Sequence, residues 1–110
     1  MYLHWSGVTP AQYDAVMACL RLDADPAPGA VLHVASLTED GLEVCDVWQT
    51  ERSFERYLAQ RLLPAADEVG VKGEPEIRLV QLHNLFAADP HVIDRIGALS
   101  MPAAVAAWAA

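Results

Sequence analysis

The chain has 110 residues and a formal net charge of −8, and Lys72 is its only lysine. Such a surface is repelled by nucleic-acid phosphates and by anionic lipid, so neither partner is expected. The length suits one domain, and the apolar fraction of 54% exceeds the usual ~45–50%. That is more apolar surface than a small core hides, which predicts a subunit interface or a lined cavity.

Tyr2–Trp5 reads as a first strand, and Ser6–Gly7–Val8 turns the chain. Thr9, Pro10 and Gln12 then form a helix start, with Thr9 as N-cap, Pro10 in the first helical position and Gln12 completing a capping box. Tyr13, Val16, Met17 and Leu20 recur at helical spacing and carry this helix to about Leu22. Asp23–Gly29 holds two prolines and a glycine and reads as a loop. Ala30–Leu37 is rich in β-formers. Asp40–Gly41 marks a tight hairpin into Leu42–Trp48. On that strand Leu42, Val44, Asp46 and Trp48 share one face, and Glu43, Cys45 and Val47 the other.

Thr50 caps a second helix with Glu51 in its first turn and Phe54, Tyr57, Leu58 and Leu62 as its apolar stripe. Pro64 must kink that helix or start another. Gly70 and Gly73–Pro75 lead into a fourth strand over Glu76–Phe86, with Ile77, Leu79, Gln81 and His83 on one face. Asp89–Pro90 begins a short helix through Ile96. Ser100–Ala110, with Val105 and Trp108, is a weak helix that needs a surface to lie on.

The order β-α-β-β-α-β predicts an α+β, ferredoxin-like domain over 1–86, with helices on one face of a four-stranded antiparallel sheet and a C-terminal helical extension over 87–110. The second sheet face reads as largely apolar. A two-fold homodimer that buries it would enclose a barrel between two sheets. Cys19 and Cys45 match no metal spacing and are expected as buried free thiols. No signal-peptide pattern and no membrane-length apolar run is present, so a cytoplasmic location is expected.

The run Gly41-Leu-Glu-Val-Cys-Asp-Val-Trp-Gln-Thr-Glu, followed by the Phe54–Leu58 helix, resembles the dimeric α/β-barrel superfamily. It is most similar to the antibiotic-biosynthesis-monooxygenase-like branch. Asp46, Trp48 and Thr50–Glu51 match an acidic residue two before an aromatic at the end of strand 3, then a Ser/Thr-Glu helix start. Ala30–His33 and Val80–Asn84 look like the flanking strands. The resemblance covers about Tyr2–Phe86. It implies a homodimer and a pocket for a small aromatic or polyketide-like molecule. Members include cofactor-free oxygenases, polyketide cyclases, haem-degrading enzymes and proteins without known activity. The helix-2 histidine that ligates haem in some members has no counterpart between Thr50 and Val69, so haem is not expected.

The candidate chemistry follows from residue type. Asp46, if it faces the barrel, is a carboxylate in an apolar enclosure, suited to act as base or proton donor or to orient a histidine. His83 and His33 are candidate bases near neutral pH. His4, Gln81, Val44 and Tyr13 are candidate ligand contacts, and Trp48 is a stacking wall. Trp5, Tyr57 and Phe86 are weaker cavity candidates, and His91 is expected in solvent. For each, ordinary core packing is the competing reading. The histidines and acids occur singly, with no metal-ligand spacing, Gly-rich phosphate loop or nucleophile elbow. The expectation is therefore a cofactor-independent, metal-free enzyme of monooxygenase or cyclase type. The alternatives are a non-catalytic ligand-binding or accessory protein and a structural dimer whose cavity is filled by its own side chains.

Overall fold

The computed structural model describes residues 1–96. The expected helix over 100–110, with Trp108, lies outside the described residues. The elements are β1 (Tyr2–Ser6), α1 (Pro10–Leu20), β2 (Ala30–Thr38), β3 (Gly41–Trp48), α2 (Glu51–Tyr57), α3 (Leu63–Val69), β4 (Glu76–Arg78) and α4 (Pro90–Ile96). The strands form one antiparallel sheet in the order β2-β3-β1-β4.

The start of α1 has the expected reciprocal cap. The Gln12 amide N–H donates to Thr9 Oγ1 at 3.2 Å, and the Thr9 N–H donates to Gln12 Oε1 at 3.1 Å. A capping box of this kind satisfies two of the four free N–H groups that every helix start exposes. Thr50 caps α2 through the Ser53 N–H at 3.0 Å. A π-helical turn, Leu58–Leu62, joins α2 to α3, and Pro64 sits in the first turn of α3. There its missing N–H costs little, and the helical run restarts as the proline requires.

The β2–β3 hairpin closes at Thr38↔Gly41, and from there cross-strand partners run Leu37↔Leu42, Ala35↔Val44 and His33↔Asp46. These residues, with Leu3 and Trp5 of β1, point to the side on which α1, α2 and α3 pack. The core is built there from Leu3, Trp5, Tyr13, Val16, Leu20, Leu42, Val44, Phe54, Tyr57 and Ala66, and Phe54 is 1% exposed. Two long-range contacts brace the layers. The Trp5 indole donates to the Lys72 carbonyl at 3.0 Å, and Arg61 donates to the Leu20 carbonyl at 2.8 Å.

Four expectations change. The face that carries Leu42, Val44, Asp46 and Trp48 meets the helices of its own chain; it does not lie on the open side of the sheet. Period-2 alternation groups residues by face but is silent on what covers the face. The open side is mixed rather than largely apolar, with Tyr2, His4, Val34, Ser36, Glu43, Cys45, Glu76 and Arg78 bordering it. Strand 4 ends at Arg78 instead of Phe86. Arg78 pairs with Tyr2, the first residue of β1, so the chain beyond it meets no further strand of its own sheet. Its apolar side chains Leu79, Val80, Leu82, Leu85 and Phe86 stand exposed. Finally, Cys19 and Cys45 are exposed free thiols, not buried ones. Cys19 lies on the outer side of α1 and donates to Glu68 at 3.2 Å, which pushes its thiol pKa up. Cys45 falls on the open face of β3.

No helix among the described residues is long and apolar enough to cross a membrane.

Candidate functional site

β2 and β3 place His33 directly opposite Asp46 on the helix-facing side of the sheet. Asp46 is 6% exposed and is the only buried charged side chain among the described residues. Its backbone is fixed on both sides by Met1, since the Asp46 N–H donates to the Met1 carbonyl and the Met1 amine donates to the Asp46 carbonyl, each at 2.9 Å. One carboxylate oxygen, Oδ1, lies 2.7 Å from His33 Nδ1. The other, Oδ2, accepts from the Trp48 indole N–H at 3.1 Å. Trp48 stands two residues beyond Asp46 on the same strand face, so strand geometry brings its indole back to the carboxylate.

The far ring nitrogen of His33, Nε2, lies 2.7 Å from the Tyr13 hydroxyl. Tyr13 reaches it from the first turns of α1, with its ring nearly parallel to the imidazole at 8° and a centroid distance of 6.1 Å. An ionised carboxylate only accepts, so Asp46 puts the imidazole proton on Nδ1. Nε2 is then left as an acceptor for the phenol. The result is one directed chain, in which Tyr13 donates to His33, His33 donates to Asp46, and Trp48 also donates to Asp46. The His33 side chain is 31% exposed against 7% for Asp46, so the imidazole is the point where the buried carboxylate communicates with solvent.

Two cavities flank this chain. The inner one, of about 40 Å³, lies between the sheet and the helices, lined by apolar residues such as Leu3, Val44, Val16 and Met17 together with Tyr13, His33 and Asp46. It has room for water but not for a ring. The second, of about 150 Å³, lies under the loop 21–29 and is bordered by Leu22, Ala27, His33, Asp46, Trp48 and Tyr57. Trp48 packs edge-on to Phe54 at 5.7 Å and tilted against Tyr57 at 5.1 Å, which makes it a fixed wall of this space.

Burial, and next the Asp46 carboxylate, push the Tyr13 hydroxyl pKa up to about 12 from 10.0. The same two causes raise Tyr57. Both phenols therefore remain protonated donors at any working pH. A pH dependence follows. The folded state holds the Tyr13 proton more tightly than the unfolded chain, so its contribution is whole below pH 10 and is lost as pH rises toward 12. The expected loss from Tyr13 over that window is about 2–3 kcal/mol, with Tyr57 acting in the same direction. Urea midpoints measured from pH 8 to 11.5 should fall steeply above pH 10, and the fall should be shallower in Tyr13→Phe. Parallel curves for the two proteins would refute this origin.

Of the residues expected at a site, the structure brings together His33, Asp46, Trp48, Tyr13 and Val44, and Tyr57, a weaker cavity candidate in the sequence, walls both cavities. It does not bring His83, Gln81 or His4 into the hydrogen-bonded chain. His83 and Gln81 lie on the exposed run after β4 and border, together with Asp46 and Trp48, an open groove of about 950 Å³ along the end of β3. They stand apart from His33 and Tyr13, because the ladder expected to carry them ends at Arg78. His4 is on the open sheet face, between Glu43 and Glu76 in the two neighbouring registers. Phe86 is 83% exposed, whereas Trp5 is buried and lines the inner cavity. His91 is exposed, at the start of α4. Among the described residues no group of three or more His, Cys, Asp or Glu side chains is placed to hold a metal ion.

Compared with known protein families, with curated proteins and with solved structures, the chain matches none of them.

Proposed function

We propose that this chain is a cofactor-independent enzyme of secondary metabolism that takes a proton from a small aromatic or polyketide-like substrate, with His33 as the base. The observation that carries the reading is the fixed imidazole, with Nδ1 held by a buried carboxylate at 2.7 Å and Nε2 bonded to the Tyr13 hydroxyl at 2.7 Å. A base oriented in this way needs no metal to act near neutral pH. A substrate hydroxyl or activated C–H that meets the Tyr13 oxygen passes its proton to that oxygen while the Tyr13 proton moves to His33 Nε2. Asp46 then faces an imidazolium, which it stabilises. The substrate anion goes on either to reduce dioxygen, with the substrate supplying the electrons, or to attack a carbonyl of its own chain. The first outcome is oxygenation and the second is ring closure.

The element order and the β2-β3-β1-β4 arrangement support a ferredoxin-like fold of the dimeric α/β-barrel type. The exposed apolar run Leu79–Phe86 supports a homodimer, because a second copy would cover it. A strictly monomeric mass by light scattering at micromolar concentration would count against that assembly. A cytoplasmic location goes with this reading.

One observation favours a non-catalytic binding or accessory role instead. The enclosed space next to Tyr13 is only about 40 Å³, and no buried side-chain N or O atom among the described residues lacks a partner. A satisfied network of this kind can also serve only to pin a core. Turnover separates the two readings. Simple phenolic polyketides incubated in air with the wild-type chain and with His33→Ala should show substrate loss that falls at least about 100-fold in the variant. Substrate that binds but is never consumed by the wild type would establish the accessory role.

A further inference from the structure

The cavity under the loop 21–29 has a shape, a polarity and one uncommitted hydrogen-bonding group, and together these narrow what it takes. Its volume is about 150 Å³, the size of apolar cavities that accept benzene and well below the ~300–1,000 Å³ of drug-sized sites. Leu22, Pro26 and Ala27 roof it, and the Trp48 ring forms a wall. Its polar corner is nearly all committed. Asp46 Oδ1 is bonded to His33, Oδ2 to Trp48, and His33 Nε2 to Tyr13. Tyr57 is different. It is 9% exposed, it borders both cavities, and its hydroxyl has no hydrogen-bond partner among the described residues. Because no sealed side-chain oxygen among the described residues lacks a partner, that hydroxyl opens onto accessible space there.

We propose that this cavity binds a neutral compound with a single six-membered ring and one hydrogen-bond acceptor oxygen, and that the Tyr57 hydroxyl anchors that oxygen. The ring lies against Trp48. A second fused ring exceeds the volume. A carboxylate is refused by the Asp46 charge in the wall, in a protein whose net charge is already −8. Tyr57 stays protonated because burial and Asp46 both oppose its ionisation, so its hydroxyl keeps a proton to donate to that oxygen. This inference goes beyond the general-base reading: the cavity borders His33 and Asp46 but not Tyr13, the proton relay of that reading.

The test uses the full chain and four probes: acetophenone, ethylbenzene, benzoate and 2-acetonaphthone. The Trp48 indole N–H resonance in ¹H–¹⁵N spectra reports on the wall. Acetophenone and ethylbenzene are expected to shift it, and benzoate and 2-acetonaphthone to leave it in place. Tyr57→Phe removes a hydroxyl with no partner among the described residues, so the fold should tolerate it. This variant is expected to weaken acetophenone about 3–10-fold, the worth of one neutral hydrogen bond, and to leave ethylbenzene unchanged. Leu22→Trp, which fills the space from the loop, should abolish both. Equal acetophenone affinity in wild type and Tyr57→Phe would overturn the anchoring role, and benzoate binding as tightly as acetophenone would overturn the ligand class. Failure here is distinct from failure of the catalytic reading. Tyr57-dependent binding without His33-dependent turnover leaves this site standing alone, whereas His33-dependent turnover with Tyr57-independent binding removes only this site.

Discussion

Asp46→Ala is expected to lower stability by about 2–4 kcal/mol, because it strands a buried donor and unties an imidazole at once. The Trp48 indole N–H would lose its acceptor at 3.1 Å, and His33 Nδ1 would lose its partner at 2.7 Å. His33 is partly exposed, so water would recover some of its share. Asp46→Asn should behave differently. The amide oxygen still accepts from Trp48, while the amide NH₂ can only donate to His33 Nδ1. The imidazole proton must then move to Nε2, which donates to the Tyr13 oxygen and can no longer accept. The three contacts each keep a donor and an acceptor, but the Tyr13 hydroxyl proton loses its acceptor, so the expected stability cost is about 1–2 kcal/mol. The direction of the whole chain reverses, and base-dependent turnover should fall about 10³–10⁴-fold. Chemical denaturation and turnover measured on both variants check this. A stable but active Asp46→Asn would show that proton direction is irrelevant to the function.

Gly41→Ala is the second large effect, and it acts from a distance. Gly41 has a φ of +134°, a conformation that L side chains rarely adopt. A methyl added there would press into the Trp5 carbonyl oxygen and lie 2.7 Å from the Gly7 nitrogen. Both contacts are backbone, so neither can turn aside. The expected cost is about 3 kcal/mol or more. The hairpin register set at Thr38↔Gly41 is also what puts His33 opposite Asp46, so any folded remnant should lose the His33–Asp46 contact. A thermal midpoint within 2–3 °C of wild type, corresponding to well under about 1 kcal/mol, would contradict this account of the turn.

How much of this was legible beforehand differs from element to element. The α1 start was readable because a capping box is a local code, written in Thr9, Pro10 and Gln12. The sharing of one strand face by Asp46 and Trp48 was readable from period 2. The pairing of His33 with Asp46 is only partly readable. Hairpin alternation places the two on one face, but a tight turn at Asp40–Gly41 would make paired residue numbers sum to 81 and set His33 opposite Trp48. The observed turn is Glu39–Asp40, so the numbers sum to 79, as in His33↔Asp46 and Ala35↔Val44. Three further features are not legible. Tyr13 meets His33 through packing of α1 on the sheet, which no local spacing encodes. What covers the Asp46 face is likewise decided by tertiary packing, so a barrel lining and a helix-covered core look alike in sequence. The end of β4 depends on where β1 starts, and the apolar run after Arg78 has strand composition whether or not a neighbour pairs with it. That is why the strand pattern sets Gln81 and His83 beside His33, whereas the structure leaves them on the outer groove with Asp46 and Trp48.

The central claim is that His33 is held as a directed base between Asp46 and Tyr13. The most direct measurement is the ¹⁵N chemical shifts of the His33 ring at pH 8, read through long-range ¹H–¹⁵N couplings on the full chain. The predicted result is a neutral ring with its proton on Nδ1 and an unprotonated Nε2, reversed in Asp46→Asn. A proton on Nε2, or a free mixture of the two tautomers in the wild type, would contradict the account.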